Sequence, residues 1–359
     1  MKLLFCSDIG WESTGEVYID INKEYSKELT EFEWLRVEDL MSPRRISDPE
    51  LKRRVLEIIK NKMYEHVKEN VQKIIKIIED EKPDGIFLLG DIIDDGSCHF
   101  SHENELYDVL RWINSKVINT FLIQSNHDYY SEDKYKQLIS KIDDFDYIHE
   151  ISEKRTIFKE LSILGVPFET TDHLGRIKKF VEENKHHNFD FVIAHSHYRR
   201  RIWLTDLPTK YIVTGHFGQG YHFSPEGRLL LSTDGFPYSY LTFDLSANKA
   251  ILNYGKSLLR KTGTKIELIL KEKGIQRIMG DKKFIVELER RRKDEENRLK
   301  ALKVAKYQFL NSHSDAEKRR IVKTLFDGGI PITHVREYIK DQEWIRGMYK
   351  ELKRSSNYS

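Results

Sequence analysis

Gly85-Ile86-Phe87-Leu88-Leu89-Gly90-Asp91-Ile92-Ile93-Asp94 is a short apolar run that breaks at a glycine into two carboxylates. A run of this length with no polar interruption reads as a strand buried on both faces, and the glycine marks the turn where the chain leaves the sheet. Asp91 and Asp94 then stand at a strand end. Four more apolar runs end in the same way. Leu3 to Cys6 runs into Ser7-Asp8, and Thr120 to Ile123 is followed by Ser125-Asn126-His127-Asp128. Phe189 to Ala194 leads to His195 and His197, and Tyr211 to Val213 leads to Gly215-His216.

Between these strands lie helical patterns. From Leu51 to Glu79, Leu56, Ile59, Met63, Val67, Val71, Ile74, Ile75 and Ile78 recur at three- and four-residue steps, which predicts one long amphipathic helix. Strands alternating with helices define an α/β domain. Arg228 to Leu245, continuing to Tyr254, alternates like closing antiparallel strands, with Gly227, Gly235 and Pro237 as punctuation. The first domain is therefore expected to end near residue 255. Oxygen and imidazole donors at the same end of five strands would meet at one sheet edge, where open α/β sheets bind ligands.

Asp8, Gly90-Asp91-Ile92-Ile93-Asp94, Ser125-Asn126-His127-Asp128, His195 and Gly215-His216 resemble, in order and spacing, the motifs of the calcineurin-like metallophosphoesterases. The resemblance spans about residues 1 to 255. It implies a β-sandwich flanked by helices and two adjacent divalent metals bridged by a carboxylate. Such a pair polarises a phosphate oxygen and activates a water. By position, Asp8 resembles a ligand of the first metal and Asp91 the bridging ligand. Asn126, His195 and His216 resemble the other ligands of the second metal. His127 resembles the family's transition-state histidine, with Asp128 orienting its imidazole. His197 competes with His195, but His195 directly follows the apolar run and is preferred as the ligand; His197 is left as a phosphate contact or a solvent-facing residue.

Two motifs depart from the family. Asp8-Ile9-Gly10 stands where Asp-x-His is usual, and Gly215-His216-Phe217-Gly218 where Gly-His-x-His is usual. Both missing histidines belong to the first metal, so one ion or two are expected. Either oxygen ligands such as Asp8, Asp91 and Glu12 hold a weak first metal, or that metal is absent. His222 is a further candidate if the Gln219-Gly220-Tyr221 loop lets it swing in. An oxygen-rich first site suits Mn²⁺ or Mg²⁺ better than Zn²⁺, and Mn²⁺ is preferred, with Fe²⁺ or Zn²⁺ as alternatives.

Residues 11–50 form an insertion carrying Trp11, Tyr18, Tyr25, Phe32 and Trp34 and the pair Arg44-Arg45. Its aromatics suit either stacking on bases or packing onto the domain. Arg199, Arg200 and Arg201 follow His197 directly and are candidates to grip a phosphate backbone.

The net charge of +2 hides an asymmetry. Residues 256–359 hold 27 Lys and Arg against 15 Asp and Glu, and the remainder holds 33 against 43. A basic appendage beside an acidic metal domain suits a nucleic-acid enzyme. In that appendage, 282–311 reads as one charged helix, with Glu287 and Arg291, and Glu289 and Lys293, at the favourable spacing. Residues 315–340 outline a helix-turn-helix around Asp327-Gly328-Gly329-Ile330-Pro331.

No apolar stretch approaches membrane-spanning length, and the N-terminal run is too short for a signal-peptide core. Cys6 and Cys98 lack metal-type spacing, so a reducing, cytoplasmic setting is expected. Within the family, an SbcD-type recombination and repair nuclease acting on DNA is the leading expectation. A coiled-coil ATPase or a second copy is a candidate protein partner. The rivals are a phosphatase or small-molecule phosphodiesterase of the same fold, and a catalytically impaired scaffold or DNA-binding protein.

Overall fold

A computed structural model describes residues 1–7, 49–92, 103–125, 128, 132–168, 174–195, 207–215, 220–223, 229–233, 236, 239–254, 263–271, 274–312, 314–327 and 335. These fall into two compact units, Met1–Asp281 and Lys282–Ser359.

The first unit is built on two sheets. One contains β1 (Lys2–Cys6), β2 (Gly85–Leu88), β3 (Asn119–Leu122) and β4 (Ile148–Glu150) in parallel. It continues from β1 through an antiparallel series, β11 (Ser239–Asp244), β12 (Lys249–Tyr254), β13 (Thr264–Lys271) and β14 (Gly274–Gly280). The other orders β5 (Lys154–Phe158), β6 (Leu161–Val166), β7 (Phe189–His195), β8 (Thr209–Gly215), β10 (Leu229–Ser232) and β9 (Gly220–Phe223). There β6, β7, β8 and β10 run parallel, with β5 and β9 antiparallel at the edges.

Alternation along each strand assigns its two faces. Phe5, Phe87, Phe121 and Phe243 of the first sheet meet Phe158, Phe191 and Tyr211 of the second. Register sets Phe5 opposite Phe87 and Phe87 opposite Phe121, and the rings stack with centroids 4.7 and 5.0 Å apart. Phe191 lies between Phe5 at 5.6 Å and Phe243 at 5.3 Å, closing the sandwich. The opposite side chains, Leu4, Cys6, Ile86, Leu88 and Leu122, pack outward with three helices, α1 (Pro49–Glu81), α2 (Glu103–Ser115) and α3 (Glu132–Ile142). On the second sheet Leu164, Val166, Val192, Ala194 and Ile212 pack with Ile177 and Val181 of α4 (Leu174–Asn184). The result is a helix, sheet, sheet, helix layering, with strands buried on both faces as their continuous apolar runs require.

Local chemistry sets the end of α1. Lys82 adopts a left-handed φ of 46° and its N–H donates to the Ile78 carbonyl at 2.9 Å, and Pro83 then prevents continuation. No helix among the described residues is long and apolar enough to cross a membrane.

The structure differs from the sequence expectations in two places. The antiparallel reading of the segment from Arg228 holds for β11 and β12 in one sheet, but β10 belongs to the other sheet, where it is antiparallel to β9 and parallel to β8. The sheet unit also does not stop near 255. At that point β12 would be an unpaired edge, and β13 pairs onto it with Ile266, Leu268 and Leu270 buried. The lysines that flank this strand mask its alternation in the sequence. The helical unit, 282–359, therefore carries 20 Lys and Arg against 12 Asp and Glu.

In the helical unit α5 (Lys282–Asn311) and α6 (Asp315–Asp327) bury Leu302, Ala305, Phe309, Ile321, Val322 and Leu325. Ser314 caps α6: its Oγ accepts from the Glu317 N–H at 3.2 Å. On α5, Arg290 bonds Glu287 at 2.9 Å and Asp294 at 3.4 Å. Of the expected helix-turn-helix, α6 and Val335 are described; residues 328–334 and 336–340 lie outside the described residues.

Candidate metal centre

Because β1, β2 and β3 are parallel, as are β7 and β8, their C-terminal ends collect Ser7, Asp91, Ser125, His195 and Gly215. The two sheets converge here. The chain leaving β2 is the wedge: the Leu89 N–H donates to the Cys6 carbonyl at 2.7 Å, and the Leu89 carbonyl accepts from His195 Nδ1 at 2.6 Å. Glycine is required on both sides of it. A Cβ on Gly90 would lie 2.5 Å from His195 Nδ1 and 2.6 Å from Ser125 Cβ, and one on Gly215 would lie 2.7 Å from Ser7 Cβ and against the Leu89 carbonyl oxygen.

Gly90 and Asp91 are both left-handed, with φ of 84° and 51°. This pair turns the chain sharply and leaves Asp91 2% exposed, with its Oδ1 3.4 Å from His195 Nε2. His195, the last residue of β7, is 0% exposed, and Phe168 packs beside its ring at 5.8 Å. Since a carbonyl oxygen can only accept, Nδ1 carries the proton, and the Nε2 lone pair of a neutral imidazole points toward Asp91 Oδ1. Two lone pairs facing one another out of water repel unless a positive charge lies with them, either a proton on Nε2 or a cation held by both atoms. An imidazole nitrogen and a carboxylate oxygen, with the other imidazole nitrogen bonded to a backbone carbonyl, is a donor set suited to a divalent transition metal.

Asp128 is the second buried carboxylate of this edge, 0% exposed. Its Oδ1 accepts from the Ile92 N–H at 3.1 Å, and its Oδ2 from the Ser125 N–H at 2.9 Å and Ser125 Oγ at 2.7 Å. Three donors converging on it suit an ionised carboxylate. Bonds of this type are worth about 1.5–3 kcal/mol each. Holding a non-glycine residue in the left-handed region costs about 1–3 kcal/mol, so these bonds outweigh the strain at Asp91. Burial, and then the charges of Asp128 and Glu150, push the Tyr135 phenol well above its usual range, so it stays neutral behind the site.

Of the residues expected from the sequence, Asp91, Asp128 and His195 are thus brought to one edge. Asp8, Glu12, Asp94, Asn126, His127, His197, Arg199, Arg200, Arg201 and His216 lie outside the described residues, as do Gly10, Gly218 and most of the 11–50 insertion with Arg44 and Arg45. Among the described residues alone no group of three or more His, Cys, Asp or Glu is close enough to hold a metal. Gly220 and Tyr221, expected as part of a flexible loop, instead lie in strand β9. His222 lies within β9, opposite Leu230 of β10 and two residues in from the Gly220 and Ser232 end, so ladder pairing fixes its backbone.

Several positioning groups were not foreseen. Ser7 Oγ donates to the Thr233 carbonyl at 2.9 Å, and the Phe236 N–H donates to the Ser7 carbonyl at 3.1 Å. Their one sequence signal is adjacency, with Ser7 before Asp8 and Ser125 before Asn126. Phe168 carries no such signal.

Residues 1–236 match the model of the calcineurin-like phosphoesterase family, and the chain belongs to that family. Membership implies hydrolysis of phosphoester bonds with divalent metal ions. No curated protein matches the chain. Among solved structures, a crystal structure of a Thermus thermophilus protein is 14% identical, covering 52% of this chain and 92% of that one at a TM-score of 0.40. A structure described as a novel archaeal phosphodiesterase is 11% identical, covering 75% of this chain and 100% of that one at a TM-score of 0.34.

Proposed function

We infer that this chain is a metal-dependent phosphodiesterase that cleaves DNA, of the recombination and repair type. The chemistry rests on one observation: the buried Asp91 and His195 atoms that face each other across 3.4 Å at the sheet edge, a carboxylate–imidazole pair whose donor chemistry suits a divalent metal as well as a proton. Asp91, Asn126, His195 and His216 would hold that metal, with Asp8 as a contact for a more weakly bound ion at the first site and Mn²⁺ as the preferred metal. When bound, it supplies Lewis-acid polarisation of a phosphate oxygen and a water of lowered pKa. The chain's own part is orientation. Leu89 holds the His195 tautomer, Asp91 is fixed by its left-handed turn, and His127 is assigned to the leaving oxygen or the transition-state charge. The DNA assignment follows from the helical unit, with 20 basic against 12 acidic residues, and from Arg199, Arg200 and Arg201 next to the edge in sequence.

The purified protein with Mn²⁺, tested against single-stranded DNA, duplex DNA and a nitrophenyl phosphodiester, decides between readings. Cleavage of DNA supports the nuclease. Turnover of the small ester alone moves the assignment to a small-molecule phosphodiesterase or phosphatase. Metal binding without turnover of any substrate would fit a scaffold, the reading favoured by Gly10 and Gly218 at two usual histidine positions.

A further inference from the structure

We propose that Asp128 is a positioning residue for the metal centre, which sets metal affinity by locking the β2 and β3 loops together. It touches the backbone on both sides of the candidate ligands. Its Oδ1 holds the Ile92 N–H, one residue after Asp91, and its Oδ2 holds the N–H and Oγ of Ser125, one residue before Asn126. Ser125 Oγ also accepts from the Asp128 N–H at 3.2 Å, which closes a small ring at the start of the β3 loop. The bond to Ile92 spans 36 residues of sequence and joins the two loops through a buried charge. Asp91 has a left-handed backbone that an unconstrained non-glycine residue rarely keeps. With Ile92 anchored, Asp91 has no room to relax to an ordinary conformation, so its Oδ1 stays on the His195 side.

This differs from steadying the His127 imidazole, and the two roles make opposite predictions. If Asp128 acts through the loops, its loss weakens metal binding; if it acts through His127 alone, metal binding is untouched and only turnover falls. Asp128→Asn is the informative variant because its shape is nearly unchanged. Its amide can accept from Ile92 or from Ser125 but presents an NH₂ group to the other backbone donor, so one side of the clamp must open.

The proposal rests on the metal reading above, and titration calorimetry of the full chain with Mn²⁺ alone separates the two. Wild type that binds no Mn²⁺ overturns the metal reading and this proposal with it. Given wild-type binding, Asp128→Asn is expected to bind Mn²⁺ about tenfold or more weakly, the size of effect typical of groups that hold ligands in place. Raising Mn²⁺ should then restore most of kcat. Ser125→Ala, which removes the hydroxyl and keeps both backbone donors, should weaken binding less than Asp128→Asn. Unchanged Mn²⁺ affinity in Asp128→Asn with lowered kcat overturns the proposal in favour of action through His127. Should Asp128→Asn fail to fold, Ser125→Ala binding Mn²⁺ as tightly as wild type overturns it as well.

Discussion

The two units bury their apolar side chains in different ways. The sheet unit closes seven aromatic rings between its sheets, and its apolar strands are covered on both faces. In the helical unit, α5 buries Leu302, Ala305 and Phe309 yet leaves Tyr307 73% and Leu310 70% exposed. A deep core can hold a buried carboxylate and imidazole within a few ångströms, because every neighbour is constrained by packing. A two-helix contact with a basic surface offers charge instead, which works at a distance and without precise placement. Under the proposed function, chemistry belongs to the sheet unit and grip to the helical one.

The largest expected effect tests the chemical half. Asp91→Ala should lose both Mn²⁺ binding and turnover, whereas His127→Ala should lose turnover and keep its metal, because a transition-state contact is not a ligand. Metal analysis beside a phosphodiester assay checks this, and loss of metal from the His127 variant would give that residue a different role.

Truncation tests the division itself. A chain ending at residue 281 should hydrolyse a small phosphodiester as before while its DNA affinity loses its steep salt dependence. A chain ending at 255 should do worse for another reason: it strips β13 from β12 and exposes a long edge, so aggregation or a lower Tm is expected. If both truncations behave alike in thermal denaturation, β13 and β14 are not part of the cooperative sheet unit.

Core substitutions sharpen the contrast. Phe191→Ala, at the centre of the sandwich, should cost about 3–5 kcal/mol of stability by denaturant titration and lower Mn²⁺ affinity as well. Phe309→Ala should loosen the helices without affecting Mn²⁺ binding. Gly90→Ala is expected to cost about 1–3 kcal/mol from its left-handed φ alone, and the added methyl should displace His195 and weaken metal binding.

The smallest effect is one of pH. Burial lowers the His149 pKa from its usual 6.5, so below that value the unfolded chain takes up the proton more readily than the folded one. Stability should therefore fall slightly as pH drops below about 6.5. His149→Phe, which keeps the ring beside Phe121, should flatten that part of the profile.

The apolar runs alone located β1, β2, β3, β7 and β8 to within two residues at each end, and the residues that follow them pointed to one edge. That much is legible because burial on two faces demands an unbroken apolar run, a local property of the chain. The same reasoning failed at β13, where flanking lysines made a core strand look like the start of a basic tail. It also could not reveal which Leu89 atom sets the His195 tautomer, that Asp91 is left-handed, or that Asp128 bonds Ile92 across 36 residues. Those depend on partners distant in sequence, brought together only when the two sheets close on their aromatic core. The identities of the candidate ligands are thus a property of the sequence, while the direction in which Asp91 and His195 present their lone pairs was decided by tertiary packing.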